Sequence, residues 1–289
     1  MPALLLLAAT ALPTQILPDE RGDRLVKVEL LADRAAIRPG ESFSLGVRLR
    51  IEPKWHIYWE HHGDSGIPTR AELESPPGFE VGPPRFPGPE RDVAEGDIVS
   101  YIHHGEIVLV LDAKAPDPIP PGLERASFAV DASWLVCTEA CFAGSGHAEL
   151  ELPIAAAGSA PAPANAKLFT EARARLPKPW AELRGATIEW RGDARAPIAV
   201  FTVPGASDLE LFPLASESTT LVGRAIEPMK SACRLAATLR FKSSAPGEAP
   251  RLEGVLRVRQ EEGEAFYRLG TSPNRPADPA GSNPTPKGN

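Results

Sequence analysis

Residues 126–141 read ASFAVDASWLVCTEAC, and this stretch decides the fold class. Apolar side chains occupy every second position from Phe128 to Val136, which is the period of a strand with one buried face. A Gly-Ser-Gly segment at residues 144–146 then precedes the next alternating segment, so the chain is expected to turn between the two. The pattern therefore predicts a half-buried strand that ends at a turn containing two cysteines.

The same alternation recurs along most of the chain and predicts an all-β protein. About eight strands over residues 25–154 fit an antiparallel sandwich, and further strands over residues 180–270 predict a second, smaller β domain. Residues 155–179 are rich in Ala and Pro, and we expect a linker with one short helix near residues 165–176. Residues 271–289 contain five prolines and no residue more apolar than alanine. We expect this tail to be disordered.

Composition narrows the class of protein. The 289 residues carry a net charge of −7, so a basic surface for nucleic acid is not expected. The 32 prolines and 24 glycines disfavour long helices and favour short strands joined by turns. Six of the prolines lie within residues 75–91, which we expect to run as an extended excursion over the surface.

The N-terminus has the features of a signal peptide, which we assign to residues 1–20. Its apolar run covers only residues 1–12, whereas a membrane-spanning helix needs about 20 residues. The triplet Ala9-Thr10-Ala11 has the small-x-small pattern of a cleavage site, although no Lys or Arg precedes the apolar run. We therefore expect an exported protein.

The three cysteines divide into a close pair, Cys137 and Cys141, and a distant one, Cys233. Residues four apart lie about 13 Å apart in a strand but about 6 Å apart in a tight turn, and a disulfide needs Cα atoms within about 7 Å. The pair can bond only if the chain turns. Alternation puts Cys137 on the face opposite Trp134, where we expect it to be exposed. So short a loop adds little stability, and a redox-active and a structural disulfide both remain open.

One cysteine and one tryptophan are expected to be structural. Cys233 shares one apolar face with Leu235 and Ala237, which predicts an inert core thiol. Trp134 lies on the core side of the strand that carries Cys137, and its packing is expected to fix the angle of the cysteine loop.

Three stretches resemble the N-terminal domain of the thiol:disulfide interchange protein DsbD, in the form found in ScsB-like proteins. They are WHIYW at 55–59 with GDSGIPT at 63–69, PGF at 77–79 with FPGPER at 86–91, and WLVCTEAC at 134–141. Their order and spacing follow the family over residues 25–154. A weaker likeness, Leu211-Phe212-Pro213, lies in the second domain.

The resemblance implies an immunoglobulin-like sandwich whose Cys137 and Cys141 cycle between dithiol and disulfide in the periplasm. It implies a thiol-disulfide oxidoreductase of the protein-disulfide reductase type, with no cofactor beyond the redox-active disulfide. The implied partners are a membrane-embedded electron donor, expected in trans, and periplasmic thioredoxin-fold proteins that isomerise disulfides or serve cytochrome c maturation. It also suggests that Cys141 meets the partners and Cys137 resolves, an order that spacing alone does not assign.

Several neighbouring residues are candidates for tuning or capping the pair. Glu139 lies between the cysteines, and a nearby carboxylate raises a thiol pKa. Asp64, in the Gly-Asp-Ser-Gly stretch, is either a turn former or part of a cap over the thiols. Two histidine pairs, expected in loops, are either exposed to solvent or fold over the cysteines and supply positive charge. These pairs are His61 with His62 and His103 with His104.

Two other functions remain open at this point. Cysteines and histidines around one loop cluster could bind copper or zinc, although their spacing matches no zinc signature and we assign no metal ligands. The domain could also be an adaptor that docks a partner and holds a purely structural disulfide.

Overall fold

The computed structural model describes the chain at residues 21–156, 159–192, 197–214, 219–228, 232–241 and 252–271. The predicted signal peptide and, beyond Thr271, the predicted tail lie outside the described residues. Strands dominate the described part and its helices are short, so the predicted all-β class is confirmed. Within these ranges, no helix has both the length and the apolar character needed to cross a membrane.

Two sheets form a sandwich in the first half of the chain. The first sheet contains, in spatial order, β1 (Val26–Ala32), β2 (Ser42–Ile51), β8 (Glu106–Lys114) and β5 (Glu80–Val81). The second contains β10 (Cys141–Pro153), β9 (Arg125–Cys137), β3 (His56–Gly63), β7 (Ile98–His104) and β6 (Glu90–Ala94), with β4 (Arg70–Glu74) also paired to β9. All of these pairs are antiparallel, and β9 runs beside β3 in the second sheet.

The alternating apolar side chains of β9 fill the space between the two sheets. They are Phe128, Val130, Ala132, Trp134 and Val136, each at most 2% exposed. Leu45 and Leu109 of the first sheet belong to the same buried cluster. Because full burial of a large apolar side chain contributes about 1.5–3 kcal/mol, this strand is firmly held on its inner face.

The proline-rich residues 75–91 do not run only over the surface, so that prediction is wrong in part. Phe79 and Phe86 insert into the sandwich core and are 8% and 4% exposed. Proline removes the N–H that a continuous ladder needs, which limits pairing before β6 to the two-residue β5 and a single bridge from Arg85 to Val110. The two phenylalanines anchor the segment between its prolines.

The predicted linker contains the predicted helix. α2 (Ala166–Ala174), which follows the N-terminal turn α1 (Arg21–Arg24), packs Ala172 against Val108 and Val110 of β8. Phe169 lies over Gly46 of β2, where a Cβ atom would come within 3.0 Å of the Phe169 ring. The helix therefore covers part of the outer face of the first sheet.

The second half of the chain forms two more four-stranded sheets. One contains β11 (Lys178–Pro179), β18 (Gly263–Thr271), β17 (Leu252–Gln260) and β14 (Ala206–Pro213). The other contains β12 (Thr187–Arg191), β13 (Ile198–Pro204), β16 (Ala232–Phe241) and β15 (Thr219–Pro228). Cys233 lies in the core between them at 0% exposure, and burial raises the pKa of its thiol. A thiol with these surroundings is unreactive.

The second half packs against the inner face of β3 and β7. The ring of Phe212 lies 6.4 Å from that of Trp59 and 5.2 Å from that of Tyr101. Arg268 forms an ion pair with Glu60 at 3.1 Å. These contacts fix the position of β3. This strand carries Tyr58, one of the side chains that pack around Cys137.

Candidate functional site

A hairpin between β9 and β10 brings the paired cysteines together. Cys137 ends β9 and Cys141 begins β10, and the two are direct partners in the antiparallel register. Their Cα atoms lie 4.2 Å apart and their sulfurs form a disulfide bond. The N–H of Thr138 donates to the carbonyl oxygen of Ala140 at 3.0 Å within the connecting turn. The chain therefore turns where the cysteine spacing requires it to turn.

The two cysteines differ sharply in exposure. Cys141 is exposed, whereas Cys137 is only 2% exposed and packs with Tyr58, Ile102 and Leu135. Cys137 does lie on the face opposite Trp134, but the prediction that it is exposed there is wrong. Its outer face is covered because Tyr58 of β3 and Ile102 of β7 lie over it.

Tyr58 touches the buried sulfur. Its hydroxyl oxygen lies 3.7 Å from Sγ of Cys137, within hydrogen-bonding reach for sulfur. Burial raises the pKa of Tyr58, with a further contribution from the negative charge of Asp92 and an opposing hydrogen bond with Ser100. The phenol is therefore protonated at neutral pH and can donate to a thiolate on Cys137.

The loop that contains Asp64 and Gly66 packs against the ring of Tyr58. Asp64 exchanges two hydrogen bonds with Val99 of β7, one from its own N–H at 2.7 Å and one to its carboxylate at 3.0 Å. Gly66 has a φ of +115°, and a Cβ atom there would lie 2.2 Å from the Tyr58 ring. Asp64 thus fixes a loop that packs on Tyr58.

Glu139 lies exposed in the turn between the cysteines.

His56 is a neighbour whose position the sequence does not reveal, because an outward place on a strand suggests a surface or hydrogen-bonded histidine. It is half-buried and stands directly opposite Cys137 in the β3–β9 register. Its ring lies 5.7 Å from the ring of Tyr58 and 5.7 Å from that of His104. His104 in turn contacts the Glu90 carboxylate at 3.3 Å.

The two histidine pairs lie on β3 and β7 and not in loops, so their predicted placement is wrong. His61 and His62 stack on each other 5.2 Å apart, and five residues of strand, or about 16 Å, separate His61 from His56. Burial lowers the pKa of His61 and lowers that of His103 from 6.5 to about 3. These two imidazoles are neutral and do not supply the positive charge that the sequence suggested.

The metal-binding alternative finds no support in the described part of the chain. There, no three His, Cys, Asp or Glu side chains come together in a way that could hold a metal ion. The short contacts of the disulfide are instead with one phenol and with apolar side chains.

His103 makes a testable contribution to acid sensitivity. It is 1% exposed and its Nε2 has no hydrogen-bond partner. Its pKa of about 3 lies below the ordinary 6.5. Between these two pH values the histidine is protonated in the unfolded chain and neutral in the folded protein. Its contribution to stability is therefore full above the ordinary pKa and falls by about 1.4 kcal/mol per pH unit as the pH drops toward the folded value.

We expect the His103→Leu variant to lose less stability than the wild type between about pH 6 and about pH 4. Urea unfolding across this range measures the difference. His147→Leu serves as the control, since His147 is an exposed histidine on β10. Parallel stability curves for wild type and His103→Leu would contradict the assignment.

Trp134 sits in a cradle of glycines behind the hairpin. Its Nε1–H donates to the carbonyl oxygen of Gly22 at 3.1 Å. A Cβ atom on Gly144 would come within 2.5 Å of that nitrogen, and one on Gly22 would come within 2.1 Å of the Ala143 carbonyl oxygen. The turn α1 therefore packs on the start of β10, which in turn packs on the ring of Trp134. The strand pattern predicted burial of Trp134, but a single glycine 112 residues away gave no signal of this contact.

A family model described as thiol:disulfide interchange protein DsbD, N-terminal, matches residues 24–168, which is just over half of the chain. The chain belongs to this family. Membership of the DsbD N-terminal family, together with a cysteine pair at disulfide distance, supports a thiol-disulfide exchange module.

Solved structures extend the comparison. The N-terminal periplasmic domain of ScsB from Proteus mirabilis aligns with a TM-score of 0.58 and 11% identity, over 84% of this chain and 92% of that one. The reduced N-terminal domain of Neisseria meningitidis DsbD aligns with a TM-score of 0.28 and 17% identity, over 53% of this chain and 98% of that one. No curated protein matches the sequence. The ScsB alignment supports the fold across both halves of the chain.

Proposed function

We propose that this protein is a periplasmic thiol-disulfide exchange module of the protein-disulfide reductase type. It receives reducing equivalents from a membrane-embedded donor in trans and passes them to thioredoxin-fold partners that isomerise disulfides or serve cytochrome c maturation. The observation that carries the proposal is the unequal exposure of one bonded pair, with Cys141 open to solvent and Cys137 enclosed. An exchange protein needs one sulfur that partners can reach and a second that releases them.

The proposed exchange runs in two steps. A thiolate of the donor attacks Sγ of Cys141, a mixed disulfide forms, and Cys137 leaves as a thiolate that accepts a hydrogen bond from the Tyr58 hydroxyl. A second thiolate of the donor then attacks the donor sulfur that is bonded to Cys141. Cys141 leaves as a thiolate, and the cysteine pair is reduced. Two electrons reach the protein and the donor becomes a disulfide. The reverse order reduces an acceptor.

Trapping tests the proposal. In the Cys137→Ala variant, Cys141 keeps its exposure but loses its resolving partner, so mixed disulfides with thioredoxin-fold or membrane proteins should accumulate in periplasmic extracts. In the Cys141→Ala variant, the remaining sulfur is 2% exposed and adducts should be rare. Mass spectrometry of non-reducing gel bands identifies the adducts.

Two controls sharpen the trapping experiment. Cys233→Ala, which alters only a buried thiol of the second core, should behave as wild type. The double variant Cys137→Ala/Cys141→Ala should form no adduct and lose exchange activity, whereas an adaptor with a structural disulfide would keep its activity. If neither single variant forms an adduct, the carrier function is contradicted.

A further inference from the structure

If Cys137 takes part in the proposed exchange, on which this inference rests, its burial opposes the ionisation that exchange requires. Exchange requires a thiolate, because the thiol itself is a poor nucleophile. Burial among Tyr58, Ile102 and Leu135 favours the neutral thiol. A group beside Cys137 that accepts its proton would let the buried sulfur attack.

His56 occupies the position from which such a group can act. Residues directly opposite each other in an antiparallel pair have Cβ atoms about 4.5–5.5 Å apart on the same face, and His56 is the partner of Cys137. Its ring packs in a T-shaped arrangement with that of Tyr58, whose hydroxyl oxygen lies 3.7 Å from Sγ. His56 and Tyr58 therefore lie on the same face of β3, with His56 opposite Cys137 in the register and the Tyr58 hydroxyl at its sulfur.

The surroundings of His56 keep its ring neutral and able to accept a proton. Burial lowers the pKa of His56, and the neighbouring His104 of β7 lowers it further. Asp92 of β6 acts in the opposite direction. The other groups facing the ring are Tyr58 on its own strand, which is protonated, and Cys137 on β9, while Glu90 contacts the far side of His104.

We propose that His56 is the general base for Cys137 when the dithiol closes to a disulfide. The thiol of Cys137 gives its proton to the neutral imidazole, and the resulting thiolate attacks Sγ of Cys141 in the mixed disulfide. The bond between Cys141 and the acceptor sulfur breaks, and the acceptor leaves as a thiolate. The imidazolium then passes its proton to that thiolate or to water. In the opening direction the ring takes a proton from water and passes it to the Cys137 thiolate.

A stepwise oxidant separates the two sulfurs. Dithiodipyridine, an aromatic disulfide, releases one thione when Cys141 attacks it and a second when Cys137 closes the disulfide, so absorbance reports each step in a stopped-flow experiment. The reduced full-length chain should carry Cys233→Ala so that only the pair reacts. The Cys141→Ala variant, which should react slowly, verifies that Cys141 attacks first.

We expect the His56→Gln variant to release the first thione within about twofold of the wild-type rate and the second at least about tenfold more slowly. The wild-type rate of the second step should rise with pH through a titration below the ordinary histidine pKa, and the variant should lack this inflection. Added imidazole should restore closure in a His56→Ala variant. His147→Gln, at an exposed histidine bonded to Asp131 and Glu149, is the matched control and should leave both steps unchanged.

The outcomes separate this inference from the proposed function. If the wild-type pair does not open in glutathione buffers while the protein stays folded, both are overturned. If the pair opens and closes but His56→Gln closes at the wild-type rate with the wild-type pH profile, only the role of His56 is overturned. Circular dichroism and urea unfolding of each variant show whether a slow second step comes from lost folding.

Discussion

Replacing Trp134 with alanine is expected to lower the free energy of unfolding by about 3–5 kcal/mol, as large-to-small changes of buried tryptophan do. The indole is 2% exposed and lies between the two sheets. The backbone of Gly144 approaches its nitrogen only because Gly144 carries no Cβ atom, and the carbonyl oxygen of Gly22 accepts its hydrogen bond. The cavity left by alanine would be lined by backbone that cannot easily collapse, which places the cost toward the upper end of the range.

Urea unfolding with intrinsic fluorescence or circular dichroism measures this loss. Trp134→Phe is the matched control, since it keeps an aromatic ring but removes the hydrogen bond to the Gly22 carbonyl, at a cost of about 1 kcal/mol plus a partial cavity. A loss below about 1 kcal/mol for Trp134→Ala would contradict the packing described here. We further expect the alanine variant to alter the exchange rate of the pair, because the packing of Trp134 on β10 is lost.

The strand pattern was sufficient to predict the sandwich because its signal is local. Phe128 to Val136 alternate without interruption, and each inward residue is buried. The same rule failed at β4 (Arg70–Glu74), where only two of five residues are apolar and both are partly exposed. Short edge segments carry too few apolar positions for a period to stand out.

The site itself depended on contacts between distant parts of the sequence. Alternation correctly put Cys137 on the outer face of β9, but burial of that face depends on Tyr58, which lies 79 residues away in the chain. For the same reason, His103 reads as a loop residue next to Gly105 and is in fact a buried member of β7. A strand period tells which residues share a face, and only the neighbouring strands decide whether that face meets water.

In the reduced protein, Cys141 is expected to react with iodoacetamide on the order of a hundredfold faster than Cys137. Alkylation of Cys137 requires Tyr58 and Ile102 to move away, and a local opening that costs about 3 kcal/mol lowers the rate by about two orders of magnitude. Quenched time courses with mass spectrometry on the Cys137→Ala and Cys141→Ala variants, both in a Cys233→Ala background, give the two rates. In concentrated urea the rates should converge, which tests that enclosure and not intrinsic chemistry causes the difference. Equal rates in the folded protein would mean that partners can approach either sulfur, and the order of attack proposed here would lose its structural basis.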